Sequence, residues 1–250
     1  MLRYRTMATT IVILCFLVIL SLGVGADPPP GMQVESLQQA PLAATAPAAP
    51  SGSVSLLGQR TFESIADACV LEGFPTTNVG ETADMWVGYD EYGDPPYVKT
   101  ARSFALFDIS VISGNVTINS ATLRLFLVNS WDYKDRVRTV TTYRVPSSWS
   151  EDGITWNSAP QPAESYGEDD VQAGNWRWYE FDVTDLVSAW HGGTYANHGI
   201  MVRAPEVSGT DSSRRGFSTR EGTHTPQLVV EYHTVAPASA HLWLPFIAKN

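Results

Sequence analysis

From Thr61 onward the chain alternates apolar and polar residues in short runs, each closed by Gly, Pro, Asp or Asn. Successive side chains on a strand point to opposite faces, so a period of two marks strands with one face buried. The run at 121–128, ATLRLFLV, is the plainest. Leu123, Leu125 and Leu127 fall on one face, and Thr122, Arg124 and Phe126 on the other. The same reading predicts nine strands, at 62–70, 84–89, 102–109, 121–128, 137–145, 175–183, 199–203, 215–219 and 227–232. Helical spacing occurs where Leu186, Val187 and Trp190 share a face. It predicts one short helix from Asp185 to about His191, capped by Thr184 and stopped by Gly192-Gly193. Short strands at these intervals predict an all-β, antiparallel β-sandwich.

The ends of the chain read differently. Arg3 and Arg5 precede an apolar run, Ile11 to Leu22, and the small residues Val24-Gly25-Ala26. That order describes a secretory signal peptide over 1–26. The apolar run is shorter than the roughly 20 residues that a membrane span needs. Residues 27–58, rich in Pro, Ala and Ser, read as a linker. The folded domain is expected over 59–235. A short apolar tail, 236–250, is also too short to span a bilayer. The expectation is therefore a secreted chain, extracellular or at the cell surface, with no stable membrane insertion once the signal is removed.

Charge narrows the partners. The net charge is −10, and removing Arg3 and Arg5 with the leader takes it to −12. Nucleic acid demands a basic face, and anionic membranes attract basic segments. Both are disfavoured here. Beyond the leader Cys69 stands alone, so no internal disulfide forms. Its alternating surroundings make it a small buried thiol.

One stretch fits neither period. Residues 149–160, WSEDGITWNSAP, hold two Trp, an acidic pair and a closing Pro. It reads as a structured crossing between the strand ending at Val145 and the one beginning near Asn175. Trp149 and Trp156 are expected to be buried anchors. Thr155 and Asn157 are expected to satisfy backbone groups of the loop.

Several segments, in order, resemble one family. They are Ala66-Asp67-Ala68, Thr77-Asn78-Val79-Gly80, Met85-Trp86-Val87-Gly88, Phe107-Asp108-Ile109-Ser110 and Ala121 to Leu125. Tyr143-Arg144-Val145, Trp149-Ser150-Glu151 and Thr155-Trp156-Asn157 with Pro160 follow. Phe181 to Val187 with Trp190, Asn197 to Ile200, Phe217-Ser218 with Glu221, and Pro226 to Val230 close the set. Together they resemble DNRLRE-type domains, which are grouped with carbohydrate-binding module family 96. The string that names the family is absent, and the segment 161–174 is long and acidic. The resemblance implies a jelly-roll form of the sandwich and, in some members, binding of a polysaccharide such as alginate.

Candidate ligand residues follow from that expectation. Aromatic rings stack on sugar faces, which marks Trp131, Tyr133, Trp176 and Trp178. Arginine forks grip carboxylates, which marks Arg136, Arg138, Arg215 and Arg220 for an acidic glycan. The oxygen-rich turn with Asp90, Glu91 and Asp94 is the candidate for a structural calcium; Glu168, Asp169 and Asp170 form a second acidic group. No histidine pair has zinc-ligand spacing. Glu151 and Asp152 are neighbours and face opposite ways in an extended segment, which suits no acid–base pair. No nucleophile elbow or phosphate loop occurs. The reading is a non-catalytic module that binds extracellular polysaccharide. The alternative is a structural or adhesive protein of the same fold, and a lyase or hydrolase has no catalytic group to support it.

Overall fold

The computed structural model describes residues 55–91, 98–132, 136–207 and 213–235. The leader 1–26, the linker up to residue 54 and the tail 236–250 lie outside the described residues, as do Tyr133 and Asp94. The strands are β1 Ser55–Glu63, β2 Ala66–Leu71, β3 Asp84–Asp90, β4 Lys99–Leu106, β5 Val116–Trp131 and β6 Val137–Arg144. They continue with β7 Ser165–Gln172, β8 Trp178–Asp182, β9 Ile200–Arg203, β10 Ser213–Ser218 and β11 Gln227–Val235. One helix, α1 Thr184–His191, lies between β8 and β9.

All pairings are antiparallel, and they run in the order β1-β11-β5-β10-β3-β4-β9-β6-β7. Strand β8 adds to β5, and β2 adds to β4. The 16-residue β5 joins the two parts of this curled sheet. Its residues 116–124 pair with β11, and its residues 127–131 pair with β10. The inward faces meet in one large core. Leu123, Leu125 and Leu127 from β5, Tyr179 and Phe181 from β8, Phe217 from β10 and Leu228 from β11 are all fully buried there. Leu186, Val187 and Trp190 of α1 join that core, as their helical spacing requires. The fold is thus an all-β, sandwich-like assembly with one short helix. No helix among the described residues is long and apolar enough to cross a membrane.

Three elements differ from the sequence reading. The strand expected at 62–70 is two strands. At Ser64-Ile65 the chain leaves β11 and turns to β4: Ser64 N donates to Pro226 O, and Ile65 N to Leu106 O. Strand β1 also claims residues 55–58, which composition had placed in the linker. Strand β7 (SYGEDDVQ) falls where the sequence suggests an acidic loop. It sits at the end of the sheet path, paired with β6. An outermost strand exposes much of its surface, and charged residues there discourage pairing with other chains. Finally, Thr184 does not cap α1, whose N-cap is Val183 with no side-chain cap. Its hydroxyl donates to Asp182 Oδ1 at 2.6 Å and accepts from Ala121 N at 3.0 Å, tying the helix start to β5.

A second, smaller cluster lies on the other side of β2, β4 and β9. It contains Ala68, Val70, Phe104, Met201, Val145 and Ile154. The stretch 149–160 is its lid. Trp149 and Trp156 are partly buried against this cluster. Trp149 packs on Phe104 at 5.5 Å between ring centres, and its Nε1 donates to His198 O at 2.9 Å. Trp156 carries the Arg102 guanidinium 4.7 Å above its ring. Thr155 does satisfy the loop through Ser158. The side chain that holds the loop's carbonyls is Asn78, whose Nδ2 donates to Glu151 O and Ile154 O, both at 2.7 Å.

Candidate functional site

Strand β8 alternates strictly. Tyr179 and Phe181 enter the core, so Trp178, Glu180 and Asp182 face outward. Register on β5 sets Trp178 opposite Phe126, Glu180 opposite Arg124 and Asp182 opposite Thr122. The next strand over, β11, places Gln227 opposite Arg124. These residues form one outward strip.

Its aromatic end is built from three rings. Phe126 stacks face to face on His224 at 3.8 Å, with 6° between the planes. Trp178 meets Phe126 edge-on at 5.4 Å. His224 arrives from the turn before β11, where its N–H donates to Ser218 Oγ at 3.0 Å. Such contacts fix ring orientation and are each worth about 0.5–1.5 kcal/mol. The Arg124 guanidinium lies 4.9 Å from the Trp178 ring centre. It also donates to Glu180 Oε1 and to Gln227 Oε1, both at 3.0 Å. Among the described residues no protein group accepts from Trp178 Nε1.

The strip's other end opens into a cleft of about 390 Å³ lined by Ser165, Tyr166, Gly167, Asp182, Thr184 and Asp185. Gly167 is required here, because a Cβ would stand 2.3 Å from the Asp182 carbonyl oxygen. The Thr184 hydroxyl and N–H hold the Asp182 carboxyl below its ordinary range. From Trp178 to Asp182 the strip runs about 13 Å at strand rise. A flat aromatic end, a middle of polar groups and a shallow polar cleft suit an extended, hydroxyl-rich ligand.

The residues marked from sequence are dispersed. Trp178 belongs to this strip. Trp176 lies two positions before it, in the β7–β8 turn, and is 51% exposed. Trp131 ends β5, is 49% exposed and stands opposite Arg214. Tyr133 lies outside the described residues. The arginines are committed to the protein's own carboxylates. Arg136 Nε lies 3.5 Å from Asp132 Oδ1, and Arg138 Nε 3.7 Å from Asp132 Oδ2. Arg138 also donates to Ser213 Oγ at 2.8 Å. Arg220 pairs with Glu151 and Glu221.

Arg215 must be corrected outright as a ligand contact. It is fully buried, and its guanidinium reaches Val171 O, Arg136 O and Asp132 Oδ2 at 3.1, 2.8 and 3.2 Å. Burial lowers its pKa, and the Asp132 carboxylate opposes that shift. Period two carried the signal. Arg215 stands two residues before the core residue Phe217 and so shares its inward face.

Of the turn expected to hold calcium, residues 92–97 lie outside the described residues. Asp90 is buried and paired with Arg214 at 2.7 Å. Glu91 accepts from the Tyr89 hydroxyl, and Asp94 lies outside the described residues. Glu168, Asp169 and Asp170 succeed one another along β7 and alternate in direction. Asp170 accepts from Thr139, and Asp169 from the N–H of Glu180.

Sequence reasoning overlooked Phe126, His224, Arg124 and the Tyr166 cleft. Phe126 was readable as an outward aromatic in an otherwise inward-leucine strand. His224 was not, because a turn far along the chain brings it there.

A curled antiparallel sandwich with an aromatic and polar strip on one outer face has the form of a ligand-binding β-module. The family model of carbohydrate-binding module family 96 matches residues 58–232, and the chain belongs to that family. No curated protein matches the chain significantly.

Proposed function

We propose that this chain is a secreted, non-catalytic module that holds an extracellular polysaccharide along the outward strip of β8, β5 and β11. The observation that carries the reading is the Trp178 ring beside Phe126 and His224, continued by Arg124, Glu180 and Gln227 toward the Tyr166 cleft. A sugar face would stack on the indole, and its hydroxyls would meet the carboxylate, amide and guanidinium groups. Export is supported by the leader pattern over 1–26. The absence of catalysis is supported by the strip's carboxyls. Hydrolysis needs one of a pair held protonated. Here Glu180 is paired with Arg124, and Asp182 is held below its ordinary range.

Charge favours a neutral glycan over the acidic, alginate-like one expected from sequence. Among the described residues, Arg60 and Arg177 are the arginines that pair with no carboxylate. The strip itself carries Glu180 and Asp182 against Arg124, which would repel a uronate chain.

Affinity electrophoresis of the folded chain through neutral polysaccharides (β-glucan, xylan, mannan) and uronates (alginate, polygalacturonate) tests this. Retardation in a neutral gel, lost in Trp178→Ala, is expected. Retardation in the uronates alone contradicts the charge argument. Retardation in none contradicts the binding reading and favours a structural or adhesive role. Release of sugars from any gel contradicts the non-catalytic reading.

A further inference from the structure

Asp67 on β2 has no exposed surface. Its Oδ2 accepts from Ser64 Oγ at 2.7 Å and from Arg220 N at 3.1 Å. Its other oxygen, Oδ1, is enclosed and has no hydrogen-bond partner. A buried carboxylate oxygen without a partner is costly. Burial above all, then the charges of Glu221 and Glu151, raise the Asp67 pKa to about 6 against the opposing hydrogen bonds.

Two more carboxylates converge on it. Glu151 comes from the lid over β2, and Glu221 from the turn after β10. One oxygen of each of the three lies within 4.8 Å of the others. Oxygens so spaced suit a single ion with ligands at about 2.3–2.6 Å. Arg220 is the cation among them. It reaches Glu151 Oε1 and Oε2, each at 2.9 Å, and Glu221 Oε1 at 3.0 Å. One guanidinium against three carboxylates leaves two negative charges over.

The lid is fixed in place before any ion arrives. Asp67 N donates to Glu151 Oε1 at 2.8 Å, and Asn78 grips Glu151 O. Gly80 lies so close that a Cβ would stand 2.2 Å from that carbonyl oxygen.

We propose that Asp67, Glu151 and Glu221 bind one hard divalent cation of the calcium class, which clamps the lid 149–160 to β2 and to the turn after β10. The shell is completed by water, as calcium's six to eight oxygen ligands require. This site is separate from the outward strip and does not rest on the glycan reading.

The test is calcium titration of the full chain after EDTA treatment and dialysis, by calorimetry and by thermal melting. One saturable site is expected, with Tm raised by about 3 °C or more at saturating CaCl2. Glu221→Gln and Asp67→Asn should abolish both the heat and the shift. Asp67→Asn also controls for folding. Its amide nitrogen replaces the unpartnered oxygen beside two carboxylates, so in EDTA it should melt at or above the unaltered chain. Absence of heat and shift in the unaltered chain overturns the proposal. So does calcium binding that survives both substitutions.

Discussion

The two outer faces of this protein treat their tryptophans in opposite ways. Over β2, β4 and β9 a loop is laid down as a lid, and Trp149 turns into it. Its ring packs on the fully buried Phe104, and its N–H is satisfied by His198 O. On β5, β8 and β11, Trp178 lies among Phe126, His224 and Arg124 with no protein acceptor for its N–H among the described residues. A tryptophan whose polar end is satisfied by its own chain is an anchor. One with a free donor beside exposed polar side chains can offer that donor to another molecule. The stretch richest in tryptophan and acid is thus architectural, and the ligand surface we propose lies on the plainer strands.

Each face can be broken separately, and the arginine that staples the interior sets the upper limit. Arg215→Ala should cost about 3–5 kcal/mol, because the Val171 and Arg136 carbonyls lose their donor, Asp132 loses one of its guanidinium partners and a fully buried side chain is removed. Urea denaturation would measure it; a loss under 1 kcal/mol would return Arg215 to the surface. Trp149→Ala should cost about 2 kcal/mol by removing a partly buried indole from Phe104 and Met201. Any glycan affinity should be unchanged at a temperature where the variant is folded. Trp178→Ala should do the reverse. It should lower glycan affinity about tenfold, or about 1.4 kcal/mol, and shift Tm little. Equal effects of both substitutions on binding would erase the distinction between the faces.

The smallest effect concerns Cys69, which points from β2 into the main core. Burial pushes its thiol up to about 11. At pH 8 roughly one molecule in a thousand would carry the thiolate, which is the reacting form. Maleimide labelling of Cys69, read by peptide mapping, should therefore be negligible in the folded chain and complete in urea. Rapid native labelling would mean that the core opens on the experimental timescale.

Much of this was legible in sequence where one face is buried and the other wet. The leucines of β5, the alternation of β8 and the helical trio of α1 all stand where the pattern places them. Strand β7 was hidden because an edge strand with a mostly solvated surface has little apolar signal. The Ser64–Ile65 corner was hidden because apolar residues continue through it while the pairing partner changes. Among candidate residues, composition identified the arginines as cations but not their direction. Arg215 and Asp67 each stand two residues before a core residue, Phe217 and Cys69, and that spacing predicts their burial. No local pattern forecasts the His224–Phe126 stack or the convergence of Asp67, Glu151 and Glu221, since separate turns and strands bring them together.

The most direct test follows the indole N–H signals of the 15N-labelled chain by NMR during titration with a neutral β-glucan or xylan hexasaccharide. The Trp178 signal should move in proportion to saturation, while the Trp149 signal, held by His198 O, stays in place. Movement of Trp149 with a stationary Trp178 would contradict the assignment of the β5–β8–β11 face as the binding surface.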